Sequence, residues 1–205
     1  EAADPRPRTF VCASAIGIYG ERGDEVLTER SSTGVGFLAD VASEWEAAAR
    51  PLEALGVRVV HLRIGIVLSR HGGALAKMLL PFRLGVGGVI GDGKQWMSWI
   101  SRADLVRVIQ RAVSDDTMSG AYNAVAPGAV TNASFTRALG HALRRPTIFP
   151  LPTFVARLVF GREFADALLL GSMRVQPERL QDLGFEFLHA DIAAGLSAAL
   201  TENGG

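Results

Sequence analysis

Residues 58–68 read Arg-Val-Val-His-Leu-Arg-Ile-Gly-Ile-Val-Leu, apolar on both faces. No other feature restricts the fold as much. A strand apolar on both sides must be covered on both sides, as in a parallel sheet layered with helices. Residues 9–14 and 121–125 are two further short apolar runs that read as strands. Helical patterns lie between them. Leu38, Val41, Trp45, Ala48, Leu52 and Leu55 recur at three- and four-residue steps, Pro51 kinks or breaks this helix near its end, and Gly56 closes it. A second helix opens at Gly72 and Gly73 and runs to about residue 84. Ser101 and Asp104 form a capping box before Leu105, Val108, Ile109 and Ala112. Thr131 caps a helix carrying Phe135, Leu139 and Ala142 on one face. The alternation predicts an α/β layer with a parallel sheet.

The character changes at Pro146. Prolines at 146, 150, 152 and 177 separate short helical segments, 154–160 and 164–173 being strongly apolar. Pro177 suits a first helical residue, and Gly184 ends that helix. Residues 185–187 read as extended, and Asp191 caps a last helix to about residue 200. A small, mostly helical region, 146–205, is therefore expected to follow an α/β unit at 1–145.

Composition excludes several functions. The 205 residues carry 21 Lys+Arg against 21 Asp+Glu, a net charge of zero, which argues against nucleic acid as the main partner. No apolar run reaches the ~18 residues a membrane span needs. The charged, proline-broken N-terminus does not read as a signal peptide. The one cysteine allows no internal disulfide and suits a reducing cytoplasm. His61, His71, His141 and His189 fall at no metal-ligand spacing, so no metal is expected.

Gly34, Gly36 and Ala39 match the dinucleotide fingerprint G-x-G-x-x-A, but a polar loop precedes them where the fingerprint needs a strand. The match reads as coincidence. His71 lies in a glycine loop, where it either touches a ligand or does nothing. Trp96 and Trp99 flank the turn-rich 91–95 loop and either wall a pocket or pack in the core. Tyr19 follows the first strand, at the edge where α/β sheets bind ligands.

The phrases Ser14-Ala-Ile-Gly-Ile-Tyr19-Gly20, Leu62-Arg63-Ile64-Gly65, Gly91-Asp-Gly-Lys-Gln95, Gln95-Trp-Met-Ser-Trp99-Ile and Tyr122-Asn123 carry a family resemblance. The chain resembles the extended short-chain dehydrogenase/reductases, in the epimerase-like branch with its own C-terminal domain of unknown function. The resemblance covers about residues 7–200. It implies the C-terminal part of a Rossmann-type sheet, with the glycine-fingerprint half of ~90 residues missing; the chain is expected to be a fragment. The implied cofactor is NADP or NAD. Ala13, Ser14, Ala15, Arg63 and Gly65 would hold it, and His71, Lys77, Gln95, Trp96 and Trp99 would line the substrate pocket. The partner expected is a small-molecule substrate, and a homodimer is compatible with the same reading.

The family's usual Ser, Tyr and Lys are absent. Tyr19 is followed four residues later by Gly23, and Tyr122 by Ala126, so no Tyr-x-x-x-Lys pair exists. In the register of the resemblance, Ala15 replaces the serine, Leu38 the tyrosine and Ala42 the lysine, and Glu46 matches an acid four further on. Met97 stands where sugar-nucleotide enzymes have an arginine for the diphosphate. The expectation is an NAD(P)-dependent epimerase-like oxidoreductase of non-classical chemistry, with Tyr19 as its acid. The alternative is a catalytically degenerate NADP(H)-binding sensor or scaffold.

Overall fold

The computed structural model describes residues 6–161 and 170–201. Its strands are β1 (Thr9–Ala15), β2 (Val26–Leu27), β3 (Arg58–Ile64), β4 (Ile66–Leu68), β5 (Trp96–Met97), β6 (Trp99–Ser101), β7 (Gly120–Ala124), β8 (Val130–Thr131) and β9 (Arg174–Val175). Its helices are α1 (Phe37–Ala54), α2 (Gly73–Arg83), α3 (Arg102–Ser114), α4 (Asn132–Leu143), α5 (Thr153–Phe160), α6 (Glu178–Asp182) and α7 (Ile192–Thr201). The main sheet is parallel, in the order β1-β3-β7. This is the α/β architecture of the later part of a Rossmann-type sheet.

The apolar run at 58–68 is two strands rather than one. Up to Ile64 it pairs with β1 and β7. Beyond Gly65, β4 pairs with β6 instead. β6 enters between the parting strands: the Ile66 amide donates to the Ser98 carbonyl at 2.9 Å, and the Ala126 amide to the Trp99 carbonyl at 2.6 Å. A Cβ on Gly65 would stand 2.7 Å from both the Ser98 oxygen and Val125 Cγ1, so the crossing requires glycine. His61 lies buried on the central strand, and burial pushes its pKa down.

Helix α1 does not set its apolar stripe squarely on the sheet but is rotated by about a quarter turn from that placement. Its buried residues are Ala39, Ala42 and Ala49, whose small side chains let it sit close on β1 and β3. The bulky stripe is turned outward, with Leu38 43% and Trp45 56% exposed. Pro51 lies inside the last turns without ending the helix.

The capping expectations hold. Ser101 Oγ accepts from the Asp104 amide at 3.0 Å, Thr131 Oγ1 from Ser134 at 3.3 Å, and Asp191 Oδ1 from both Ala193 and Ala194 at 3.0 Å. Asp104 does more than cap. Fully buried, it also accepts the amides of Leu188 at 2.8 Å and His189 at 3.0 Å, tying the segment before α7 to the start of α3.

Residues on both sides of position 145 share one core. Ala156, Leu196 and Ala199 pack in one cluster with Leu75, Phe82, Trp99 and Phe135. Of the apolar segments expected there, Leu158 is 82% exposed and is not core. Residues 162–169, most of the second segment, lie outside the described residues, and residues 171–173 are not helical. Residues 185–187 form no strand; Phe185 and Phe187 meet edge to face at 4.9 Å.

Candidate active site

A cavity of about 320 Å³ opens at the C-terminal ends of β1 and β3. Parallel α/β sheets bind ligands at this edge. Ala15 to Gly17 and Ile64 to Ile66 form its floor, and Leu38, Val41, Ala42 and Trp45 of α1 form one wall. Trp96, Met97, Ser98, Gly171 and Met173 close the opposite side. The outward stripe of α1 thus lines a cavity rather than a core.

Ser98, Trp96 and Trp45 carry hydrogen-bonding groups on this lining, and the first two are engaged within the protein. Ser98 Oγ donates to the Met173 carbonyl at 2.8 Å and accepts from the Val175 amide at 2.9 Å. Trp96 Nε1 donates to Asp24 Oδ1 at 2.7 Å. The walls offer shape and apolar contact but no spare side-chain acid.

A continuous polar network lies behind the cavity. Ser14 Oγ donates to Glu46 Oε1 at 2.9 Å. Arg63 donates to both oxygens of Glu46, from Nε and Nη2, at 2.9 Å each. Its Nη1 donates to the Tyr19 hydroxyl at 2.9 Å, and that hydroxyl donates to Asn123 Oδ1 at 2.7 Å. The Asn123 amide donates to Glu29 Oε1 at 2.9 Å, and Asn123 Nδ2 to the Gln176 carbonyl at 2.9 Å. Burial pushes the Glu46 pKa up, but the hydrogen bonds and charge of Arg63, helped by Ser14, bring it net below its usual value. Burial pushes the Tyr19 phenol net above 10.0, against the pull of Arg63 and Asn123. Burial also raises Glu29, against its backbone hydrogen bonds and Arg179.

A second, more polar cavity of about 570 Å³ lies beyond Trp96. Its lining includes Asp24, Asp92, Lys94, Gln95, Arg157 and Ser172.

The sequence-derived residues therefore separate. Ala15, Gly65 and Trp96 line the apolar cavity, and Gln95 lines the outer one. Ser14, Arg63 and Tyr19 are buried in the network behind, with Tyr19 wholly inaccessible. Ala13 is exposed on β1, and His71 and Lys77 are exposed and line neither cavity. Trp99 is not a pocket wall. It is fully buried, its Nε1 donates to the Gly128 carbonyl at 2.8 Å, and its ring fills the space a side chain on Gly195 would need. The Arg63–Glu46 pair was the feature missed, although an arginine inside an otherwise apolar strand signals a buried partner.

Gly34 and Gly36 have structural reasons. A Cβ on Gly34 would overlap the Tyr19 carbonyl, and Gly36 has φ 114°. A loop, not a strand, precedes them. Among the described residues no group of three or more His, Cys, Asp or Glu could hold a metal, and no helix is long and apolar enough to cross a membrane.

Fold and site together define the later part of an extended short-chain dehydrogenase/reductase, with an apolar cavity at the ligand-binding edge of its sheet. Comparison with known proteins narrows this. A domain of unknown function (DUF1731) matches residues 151–199. An epimerase family protein of Mycobacterium bovis is 45% identical over 202 residues, covering 98% of this chain and 67% of that protein. The crystal structure of human epimerase family protein SDR39U1 with NADPH superposes with a TM-score of 0.90 at 36% identity, covering 98% of this chain and 68% of that one. A nucleoside-diphosphate sugar epimerase from Corynebacterium glutamicum gives a TM-score of 0.76 at 39% identity, covering 94% of this chain and 37% of that one. The chain belongs to this SDR39U1-like epimerase family. It spans about two thirds of the length of the Mycobacterium bovis relative and the human structure.

Proposed function

We propose that this chain forms the substrate side of an NADPH-dependent oxidoreductase that works without the family's usual acid pair. The observation that carries this is the apolar cavity at the ligand-binding edge of the sheet, lined by Ala15, Leu38 and Ala42, which in the register of the family resemblance take the places of the usual serine, tyrosine and lysine. The human relative solved with NADPH supports the choice of cofactor. The ring-sized, apolar floor at Ala15 and Gly65 fits a nicotinamide ring, which when bound would supply hydride chemistry. Leu38, Val41 and Trp45 would exclude water from the ring, and Met97 and Met173 would hold an apolar substrate against it. Met97 is buried, and its sulfur accepts from Asn132 Nδ2 at 3.6 Å, so it offers no phosphate contact. This favours a substrate that is not a sugar nucleotide.

In this reading Tyr19 positions rather than reacts. Its hydroxyl is inaccessible and already bonded on both sides, so it holds Arg63 and Asn123 in register. The test is an NADPH titration of the longer protein, followed by oxidation assays with apolar carbonyl compounds. Saturable binding with turnover supports the reading, and absence of NADPH binding removes it.

A second reading is a nicotinamide-binding sensor without turnover. The engagement of Ser98 and Trp96 within the protein, and the absence of any acid or base among the described lining side chains, favour it. It predicts tight NADPH binding with no oxidation across the same panel, and one good substrate would refute it.

A further inference from the structure

Two segments divide their residues between the two cavities. Leu170 and Ser172 line the outer one while Gly171 and Met173 line the apolar one. Lys94 and Gln95 line the outer cavity, and Trp96 and Met97 the apolar one. Trp96 is the largest side chain that these two segments give to the apolar cavity, and its indole bonds Asp24 of the outer one. It is only half-buried, unlike Trp99, so core packing does not hold it in place.

Polar contacts hold it instead. Nε1 donates to Asp24 Oδ1 at 2.7 Å, and Asp24 lines the outer cavity. The Arg174 guanidinium lies over the indole at 4.3 Å from the ring centroid. The Trp96 amide donates to Ser172 Oγ at 3.1 Å, and that hydroxyl donates to the Gly23 carbonyl at 2.8 Å. The ring is thus latched at its edge, covered on one face and anchored at its backbone.

We propose that Trp96 is a partition, latched by Asp24, that sets the length of ligand the apolar cavity admits. The proposal rests on reading that cavity as the substrate site. With the latch closed, the cavity takes a compact, neutral, apolar ring compound with a short substituent. With the indole displaced, the cavities join, and a longer chain reaches the polar groups around Lys94 and Gln95.

Two neutral dyes test this on the 205-residue chain without cofactor. Prodan and laurdan share one naphthalene fluorophore, but laurdan carries a dodecanoyl chain where prodan carries a propionyl group. The native chain should bind prodan saturably and laurdan at least about tenfold more weakly, a size of discrimination that tight apolar pockets achieve. Asp24→Ala should keep prodan binding, and Asp24→Ala and Trp96→Ala should both close that gap. Should Trp96→Ala fail to fold, Trp96→Phe removes the same Nε1–H and, with Asp24→Ala, carries the test. Equal binding of the two dyes by the native chain, or an unchanged gap in the variants, overturns the partition. If prodan does not bind, the cavity is not a ring site and the proposal falls. NADPH titration of the longer protein decides the cofactor reading separately, so the two failures are distinguishable.

Discussion

Two hydrogen bonds of 2.9 Å tie the Arg63 guanidinium to the Glu46 carboxylate, Nε to Oε1 and Nη2 to Oε2. The pair joins the sheet to α1 directly behind the cavity. Both side chains are largely buried, at 11% and 13% exposure. Removing one partner of such a pair leaves an uncompensated charge, which costs about 3–5 kcal/mol. Glu46→Ala should therefore lower the unfolding free energy by that amount in urea denaturation, and Glu46→Gln by less.

The same pair gives the protein an acid limb. An acid with a folded-state pKa below its unfolded one favours the native state above the unfolded value, and loses that contribution as pH falls through the folded one. Glu46 is net lowered from 4.5, because Arg63 and Ser14 outweigh its burial. Its contribution should be complete above pH 4.5 and vanish below it, and Glu46→Gln should flatten that fall. Glu29, raised by burial, acts in the opposite sense: its ionisation disfavours the native state as pH rises above 4.5. Stability measured against pH should show Glu29→Gln removing that decline.

Tyr19→Phe removes a hydroxyl and strands two buried partners, Arg63 Nη1 and Asn123 Oδ1. An unpaired buried polar group costs about 1–3 kcal/mol, and thermal unfolding should show a loss of that order. The chain has two tyrosines, so absorbance titration of phenolate is readable. One component should appear only above pH 10.0, and it should be missing in Tyr19→Phe.

Gly34→Ala should destabilise the fold without involving any nucleotide. Its Cβ would overlap the Tyr19 carbonyl and stand 2.7 Å from the Gly20 nitrogen, both of them backbone. Overpacking of this kind costs about 1–3 kcal/mol. Chemical denaturation of the variant measures it. A wild-type midpoint would show that close approach is not the reason for glycine there.

Asp104→Ala should release the segment before α7. The carboxylate accepts the Leu188 and His189 amides and the Ser101 hydroxyl. Hydrogen exchange should speed at Leu188 and His189 in the variant, while amides in β3 stay protected.

The sheet and most helices were legible because period and capping are local signals. Ser101, Thr131 and Asp191 announced their helices by chemistry that acts within three residues. The stripe on α1 did not reveal how the helix packs, because spacing shows which residues share a side but not which side meets the sheet. Ala39, Ala42 and Ala49 won that contact through small size, leaving Leu38 and Trp45 to the cavity. Of the site, Ala15, Gly65 and Trp96 could be named in advance from family phrases. The Ser14–Glu46–Arg63–Tyr19–Asn123 chain could not be assembled, since its bonded partners lie up to 104 residues apart. Trp96 and Trp99 are three positions apart with like side chains; only tertiary packing sends one to a cavity wall and the other to the core.

At Gly65 the central strand changes partners, and β6 enters between β4 and the end of β7. The hollow beside that crossing is therefore framed by main chain. Side chains decide what it likes to hold, not whether it exists. Ala15, Leu38 and Ala42 can change while such a scaffold stands, and one architecture can move between chemistries by exchanging its upholstery while its joinery stays fixed.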